Sequence, residues 1–491
     1  MDISACKLPG HVVAVCLLVQ GPAAFAQRTP LQIKSFSVGP DQTLTYPDSS
    51  SGANQLAGFA DDHTTFFPPA ASGAPYLVFG AASPGESTGI WGAVVLQTTD
   101  LKTFDFAPGY NFPVLTSPNR FTKCNPFGDD TEFDENYAAP GSVLQDPTLP
   151  AGNLMMIYHA ENHCPGGVWQ MPFYATVGFA RSSDNGKTWP APESGVLGGP
   201  SRYAVLQSSD PPPTVPHPAL GDAAPSALVY KSVDGNYYLY VTYAYFSSSG
   251  QAVRVARAKL GADPLTFMKW YNGSFSQPGI GGLDSDVMPS TGCGSATQTT
   301  PDISYNDDLG LYLMISLCYS GPAGTQVGGW YYSTATSLDL EDWTTPQLIQ
   351  NSQYPNTLPC PGQTKGNDFD GDHPSTLSPA AASGHTKLTG YIFLTHITCD
   401  TTTRQFLSRT FTIVAEPAVP EISLVANAEG ENPLMAPNTW VEVKGANLAP
   451  AGDTRIWQLS DFVNNKMPTQ LDGVSATVNG KAAYVYYISP R

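Results

Sequence analysis

The chain has 491 residues, long enough for one large repeat domain and a smaller one but not for a single ordinary domain. Only 13% of residues are charged and the net charge is -18, which excludes a nucleic-acid surface built on clustered Lys and Arg and disfavours docking on an anionic membrane. Gly (46) and Pro (45) are abundant and no dozen-residue stretch holds an apolar 3.6-residue period, so the composition predicts short strands joined by turns.

Residues 1–26 read as a signal peptide. Lys7 gives a weak positive start, Val12 to Val19 form the apolar core, and Ala24-Phe25-Ala26 is an A-x-A cleavage site before Gln27. Asp2 departs from that pattern. The apolar run is too short to span a bilayer. The expectation is an exported, secreted or cell-surface protein with no transmembrane segment. Removing the leader takes Cys6 and Cys16 from the eight cysteines and leaves six, an even number that suggests disulfides in an oxidising compartment. Pairing in sequence order, Cys124–Cys164, Cys293–Cys318 and Cys360–Cys399, keeps each bond within one repeat.

Five apolar, aromatic-rich runs follow: YLVFG (76–80), LMMIYHAE (154–161), YYLYVTYAY (237–245), LYLMISLCY (311–319) and GYIFLTH (390–396). Each has the length of a buried strand. Upstream companions are DDHTTFF (61–67), APGSVL (139–144), APSALVY (224–230), TPDISY (300–305) and HPSTLS (373–378). Downstream companions are AVVLQTTDLKTF (93–104), TVGFARSSDNGKTW (176–189), AVRVARAKL (252–260), GWYYSTATSLDLEDW (329–343) and FLSRTFTIV (406–414). One strand order repeated five times predicts an all-β, five-bladed β-propeller over residues 27–415, with IKSFSV (33–38) completing the last blade. A linker, EPAVPEI (416–422), then leads to a small β segment over 423–491 with an Asn479-Gly480 hairpin signal.

In a propeller the leading ends of the inner strands open into the ligand cleft, so the polar residues there are the candidates. They are Asp61, Asp62 and His63; Glu135 and Asn136; Asp222; Asp302; and Asp372 with His373. Crowded carboxylates push their pKa values apart, which is what hydrolysis by an acid and a base requires. The plainer reading of any single Asp is a turn cap. YHAENHC places His159, Glu161 and His163 two apart, on one face of a strand, where they could hold a metal or line the cleft. NDFDGDH alternates Asp368, Asp370 and Asp372 before His373, oxygen ligands that can hold a structural Ca2+. No cofactor is otherwise required. Trp91, Trp169, Tyr203 and Trp330 could stack on sugar faces, although most aromatics in these strands are more simply blade core. SSDNGKTW (182–189) fits the Asp-box turn pattern S-x-D-x-G-x-T-W, a structural marker.

These repeats resemble the five-bladed glycoside hydrolases of the family 43 and family 32 group, DGNYYLYVTY (234–243) and YYSTATSLDLEDWTTPQLI (331–349) being similar to the second and third strands of their blades. The resemblance implies a base at Asp61 or Asp62, a pKa-tuning Asp at Asp222 and a channel histidine near a cation at His373. The family's acid is a Glu on blade 4, where this sequence has only Asp302; Glu135 on blade 2 is the substitute. The implied activity is a glycosidase acting on a polysaccharide or oligosaccharide as a monomer. Two alternatives stay open. One is a non-catalytic carbohydrate-binding or adhesive propeller. The other is a sialidase-like exo-glycosidase, although none of Arg120, Arg181, Arg202, Arg254 and Arg257 opens an inner strand to supply an arginine triad. NTWVEVKGANLAP (438–450), Trp457, Asp461-Phe462 and LDGVSATVNGKAAYVYYISP (471–490) resemble an Ig-like domain at the ends of exported acidobacterial proteins, here incomplete because the pattern normally continues past the ISP motif.

Overall fold

The computed structural model describes residues 31–47, 56–69, 73–84, 91–117, 133–164, 173–189, 202–212, 219–248, 250–262, 264–288, 297–320, 327–351, 369–379, 381–397, 404–417, 420–434, 439–449, 453–478 and 480–489, with the pairs 3–4 and 16–17. Those residues form strands and turns, with a single 3-10 turn at Leu459–Asp461 and no α-helix among them. No helix among them is long and apolar enough to cross a membrane. The chain divides into two compact units: residues 36–307 with 312–412, and residues 1–35 with 308–311 and 413–491.

The strands of the larger unit fall into five successive groups, the second and third joined in one nine-stranded sheet. Their inner strands are Thr65–Phe67, Tyr137–Gln145, Leu220–Lys231, Thr297–Asn306 and Phe369–Leu377. Each lies next to the strand carrying its apolar run: Tyr76–Pro84, Leu154–Asn162, Tyr237–Ser247, Leu311–Ser320 and Thr389–Ile397. Leu31–Val38 follows Arg404–Pro417 in the order of the last group, and Phe36 packs on Phe411 with ring centroids 5.5 Å apart. Apolar cores lie between consecutive groups. Phe79 and Val95 meet Val143 and Met156; Leu144 and Val177 meet Ala227 and Val241; Leu228 and Tyr240 meet Ile303 and Met314; Phe393 and Phe406 meet Phe66 and Val78. Both faces of the first three groups are therefore covered, which is why their strands read as continuous apolar runs rather than alternating ones.

A loop of hydrogen bonds joins the five inner strands. Thr65 Oγ1 accepts from the Val143 N–H (3.0 Å), Ser142 Oγ from Ala227 (2.8 Å) and Ser226 Oγ from Ile303 (3.2 Å). Asp302 Oδ2 accepts from Thr376 (2.8 Å), and Ser375 Oγ accepts from Thr64 (2.8 Å), closing the ring on the strand where it began. One short polar side chain per strand thus satisfies an inner N–H of the next. The sequence signature is a hydroxyl or Asp directly after Pro: Pro225-Ser226, Pro301-Asp302, Pro374-Ser375. The residue before each Pro, Ala224, Thr300 or His373, has φ of 46°, 45° or 57°. Such conformations cost about 1–3 kcal/mol each for non-glycine residues and persist only where the surroundings impose them. Register shifts at Ala223/Ser226 and Asp372/Ser375 mark the same places as bulges, which re-aim side chains.

Ser226→Ala leaves the buried Ile303 N–H without this partner. The expected loss is about 1–3 kcal/mol of unfolding free energy by denaturant titration, and a loss under about 0.5 kcal/mol would contradict the ring's role.

The SSDNGKTW segment closes its turn as its residue types require. Asp184 Oδ1 accepts from the Lys187 and Thr188 N–H groups (3.1 and 3.0 Å), Gly186 takes φ of 81°, and the buried Trp189 donates Nε1–H to the Gly186 carbonyl (3.0 Å). Asp100 builds a similar turn in the first group, accepting from Lys102 and Thr103 (both 2.8 Å).

Glu341 sits in the outer part of the fourth group. Its Oε2 accepts from Tyr240 Oη (2.8 Å) and Trp343 Nε1 (2.9 Å), while Oε1 is buried without a hydrogen-bond partner. Burial outweighs those two donors and pushes the carboxyl up to about 8. The folded state therefore holds a proton that the unfolded chain releases above its ordinary pKa of 4.5, so stability falls as pH rises from about 4.5 to about 8. Glu341→Gln should match wild type at pH 4.5 and exceed it at pH 8 by roughly 1–3 kcal/mol, read as a thermal-melt difference. Equal melts at both pH values would refute this.

In the smaller unit, Glu421–Asn427 pairs antiparallel with Val441–Ala446, and Val474–Val478 pairs with Lys481–Ala482. Gly480 has φ of 75° at the turn where the Asn-Gly signal lies, and Asn479 is outside the described residues. Val443, Leu448, Leu471, Val474, Val485 and Ile488 form its core.

Of residues 1–26, only 3–4 and 16–17 are described. Cys164 and Cys318 are disulfide-bonded. Cys124, Cys293, Cys360 and Cys399 lie outside the described residues, so each proposed pairing includes at least one such residue.

Candidate active site

Asp62 lies two residues ahead of the first ring strand's Thr64, at its leading end, and is 1% exposed. Its Oδ1 accepts from the His63 N–H (2.7 Å) and lies 3.1 Å from His373 Nδ1, while its Oδ2 lies 2.8 Å from His159 Nδ1. Imidazoles from the second and fifth groups therefore converge on a carboxylate from the first. His373 reaches it from its positive-φ bulge. Burial alone would raise the Asp62 carboxyl, but the facing charge of His373 and the hydrogen bond from His159 hold it well below the usual carboxylate range. His159 shifts the other way: burial lowers it, and Asp62 and Glu161 more than reverse that.

His63 turns into the ring. Its Nδ1 is 3.0 Å from the Pro374 carbonyl, which can only accept, so Nδ1 carries the proton, and Nε2 faces Asp302 Oδ1 at 3.5 Å. Burial pushes its pKa down, against the pull of Asp302 and Asp62. Asp302 Oδ1 also accepts from Ser226 Oγ (3.2 Å), and its Oδ2 accepts from Thr376 Oγ1 (2.6 Å). Burial raises the Asp302 carboxyl. His63, Asp302 and the ring hydroxyls line a cavity of about 40 Å³. That is room for a few waters at about 10–15 Å³ each, far below the roughly 300 Å³ of a small-ligand pocket. A sugar ring does not fit beside Asp302.

Asp222 belongs to a separate cluster. Lys269, fully buried, places Nζ 2.8 Å from Asp222 Oδ2, 3.2 Å from Asp284 Oδ2 and 2.9 Å from the Gln207 carbonyl. Asp284 also accepts from Tyr243 Oη (2.8 Å) and faces Arg254 Nε at 3.2 Å. Burial raises the Asp222 carboxyl to about 6, with Lys269 opposing and Asp284 adding to the rise.

Glu135 is 2% exposed at the leading end of the second inner strand. Asn136 Oδ1 accepts from the His163 N–H (2.8 Å), which fixes the residue after Leu154–Asn162. Asp61 contributes its carbonyl to Tyr137 Oη (2.9 Å). Trp91 packs on Tyr137 at 5.4 Å, and Tyr137 meets the His159 ring at 5.5 Å. Tyr203 and Trp330 are each 2% exposed, so both belong to the core and neither is a sugar platform. Trp169 and Asp368 lie outside the described residues, as do the side chains of Asp370 and Asp372.

The structure thus brings together Asp62, His63, His159 and His373, with Asp302 reached through His63, and it sets Asp222 apart. Sequence reasoning missed Lys269. Its signal is alternation: in Phe267-Met268-Lys269 the lysine shares the buried face of Phe267, which demands a charge partner.

No family model matches the chain, and no curated protein matches it. Solved structures do. An N-acetylgalactosamine deacetylase from F. plautii is 12% identical with a TM-score of 0.42, over 77% of this chain and 95% of that one. An exo-1,5-alpha-L-arabinanase from a bovine ruminal metagenomic library is 10% identical with a TM-score of 0.38, over 80% and 98%. A Coprinopsis cinerea GH62 alpha-L-arabinofuranosidase is 13% identical with a TM-score of 0.41, over 78% and 98%.

Proposed function

We propose that the chain is an exported five-bladed β-propeller glycoside hydrolase acting on a polysaccharide or oligosaccharide, with an Ig-like segment after the propeller. The closed five-strand ring supports the blade count. The observation that carries the function is Asp62, a buried carboxylate at the leading end of an inner strand, gripped by the imidazoles of His159 and His373. Such a carboxylate is oriented for attack on an anomeric carbon or for activating water. Asp222 is neutralised by Lys269 and Asp302 faces a cavity too small for a sugar, which leaves Glu135 as the acid. The ion pair at Asp222 also favours a second reading, a carbohydrate-binding propeller without turnover.

Reducing-sugar release from a panel of plant and microbial polysaccharides separates the two. The hydrolase reading expects release from at least one polymer, lost in Glu135→Gln. Binding on a glycan array with no release from any polymer would establish the second reading and overturn the first.

A further inference from the structure

We infer that His159 Nε2, Glu161 and His163 Nε2 form a transition-metal site, zinc by donor type, with Asp62 as the outer carboxylate that orients His159. The inference goes beyond the proposed function and does not depend on it. The three residues share one strand face, because Leu154–Asn162 stays extended through Glu161 and Asn136 then fixes the His163 backbone. His163 is fully buried, and the His159 and Glu161 side chains are each 7% exposed.

The decisive atom is His159 Nε2. Asp62 can only accept, so His159 Nδ1 carries the proton of their 2.8 Å contact, leaving a lone pair on Nε2 in the neutral ring. That nitrogen is buried without a hydrogen-bond partner and faces Glu161 Oε1 at 3.6 Å. A lone pair facing a carboxylate is repulsive unless a metal cation, or a proton on Nε2, lies between them. A carboxylate behind a histidine whose far nitrogen is open is the arrangement that orients metal-bound imidazoles. On the other side, Glu161 Oε2 lies 2.7 Å from His163 Nε2.

Among the described residues no three such side chains stand, as placed, where they could hold a metal ion, so the cation itself must draw these donors together. Two donors on one tetrahedral zinc, each about 2.0–2.1 Å from it, are about 3.3 Å apart, and the two gaps bracket that distance. The ring of Phe173, 5.8 Å from that of His159 and 5.5 Å from that of His163, gives the site an apolar cover. Two histidines and one carboxylate leave a fourth position open, the pattern of catalytic rather than structural zinc.

The test loads the full chain with Zn2+ or Co2+, dialyses it and counts bound metal by elemental analysis, with the visible spectrum of the Co2+ form. The expected result is one equivalent and a four-coordinate cobalt spectrum. His163→Gln should lose the metal, and Asp62→Asn should keep it with affinity about 10–100-fold weaker. Should His163→Gln fail to fold by its thermal melt, the near-isosteric Glu161→Gln carries the same expectation. Less than a tenth of an equivalent on wild type, or a full equivalent retained by the folded ligand variants, overturns the inference and identifies His159 as an imidazolium held between two carboxylates. Either outcome leaves the sugar-release result to be judged separately.

Discussion

Asp62→Asn should lower turnover on any polymer the protein cleaves by about 10³-fold or more, with a smaller change in KM. An amide has the shape of the carboxylate but neither its nucleophilicity nor its charge. His159 and His373 would face a neutral group in place of their shared anion. Asp61→Asn is the matched comparison, because Asp61 is the neighbouring carboxylate and the alternative base in the sequence. Asp302→Asn is a poor test of catalysis, since Asp302 caps Thr376 and holds the ring closed. Turnover within tenfold of wild type in Asp62→Asn would remove Asp62 from the chemistry.

Lys269→Met should destabilise the protein by about 3–5 kcal/mol, the usual result of deleting one partner of a buried ion pair. Lys269 faces two carboxylates, Asp222 and Asp284, and donates to the Gln207 carbonyl, so its loss leaves three acceptors short of a donor, the fully buried Asp222 among them. Asp222→Asn combined with Lys269→Met should recover part of the loss, because the pair couples directly. Urea unfolding measures both. A loss below about 1 kcal/mol for Lys269→Met would show that water or rearrangement solvates Asp222.

Strand placement was legible because it depends on local features. The five aromatic runs are long, apolar and bounded by Gly and Pro, and each falls within one strand. Three of the inner strands were legible from Pro followed by a short polar residue, although the ring that Ser142, Ser226, Asp302, Ser375 and Thr65 close was not foreseen. The site was half legible. Strand-initial position marked Asp62, His63 and His373 as neighbours of the cleft. It could not separate Asp222 from them, because the lysine that claims Asp222 lies 47 residues away on an outer strand. Nor could it show that His373 reaches Asp62 through a positive φ, a conformation imposed by the surrounding fold rather than by residue type. For Tyr203 and Trp330 the plainer of the two readings holds: both are buried in the core rather than open to a sugar.

The most direct test is a crystal structure of Asp62→Asn soaked with an oligosaccharide from the panel. The account predicts a sugar at the leading ends of the inner strands, with its glycosidic bond between Asn at position 62 and Glu135. A sugar bound elsewhere, with position 62 out of contact, would contradict it.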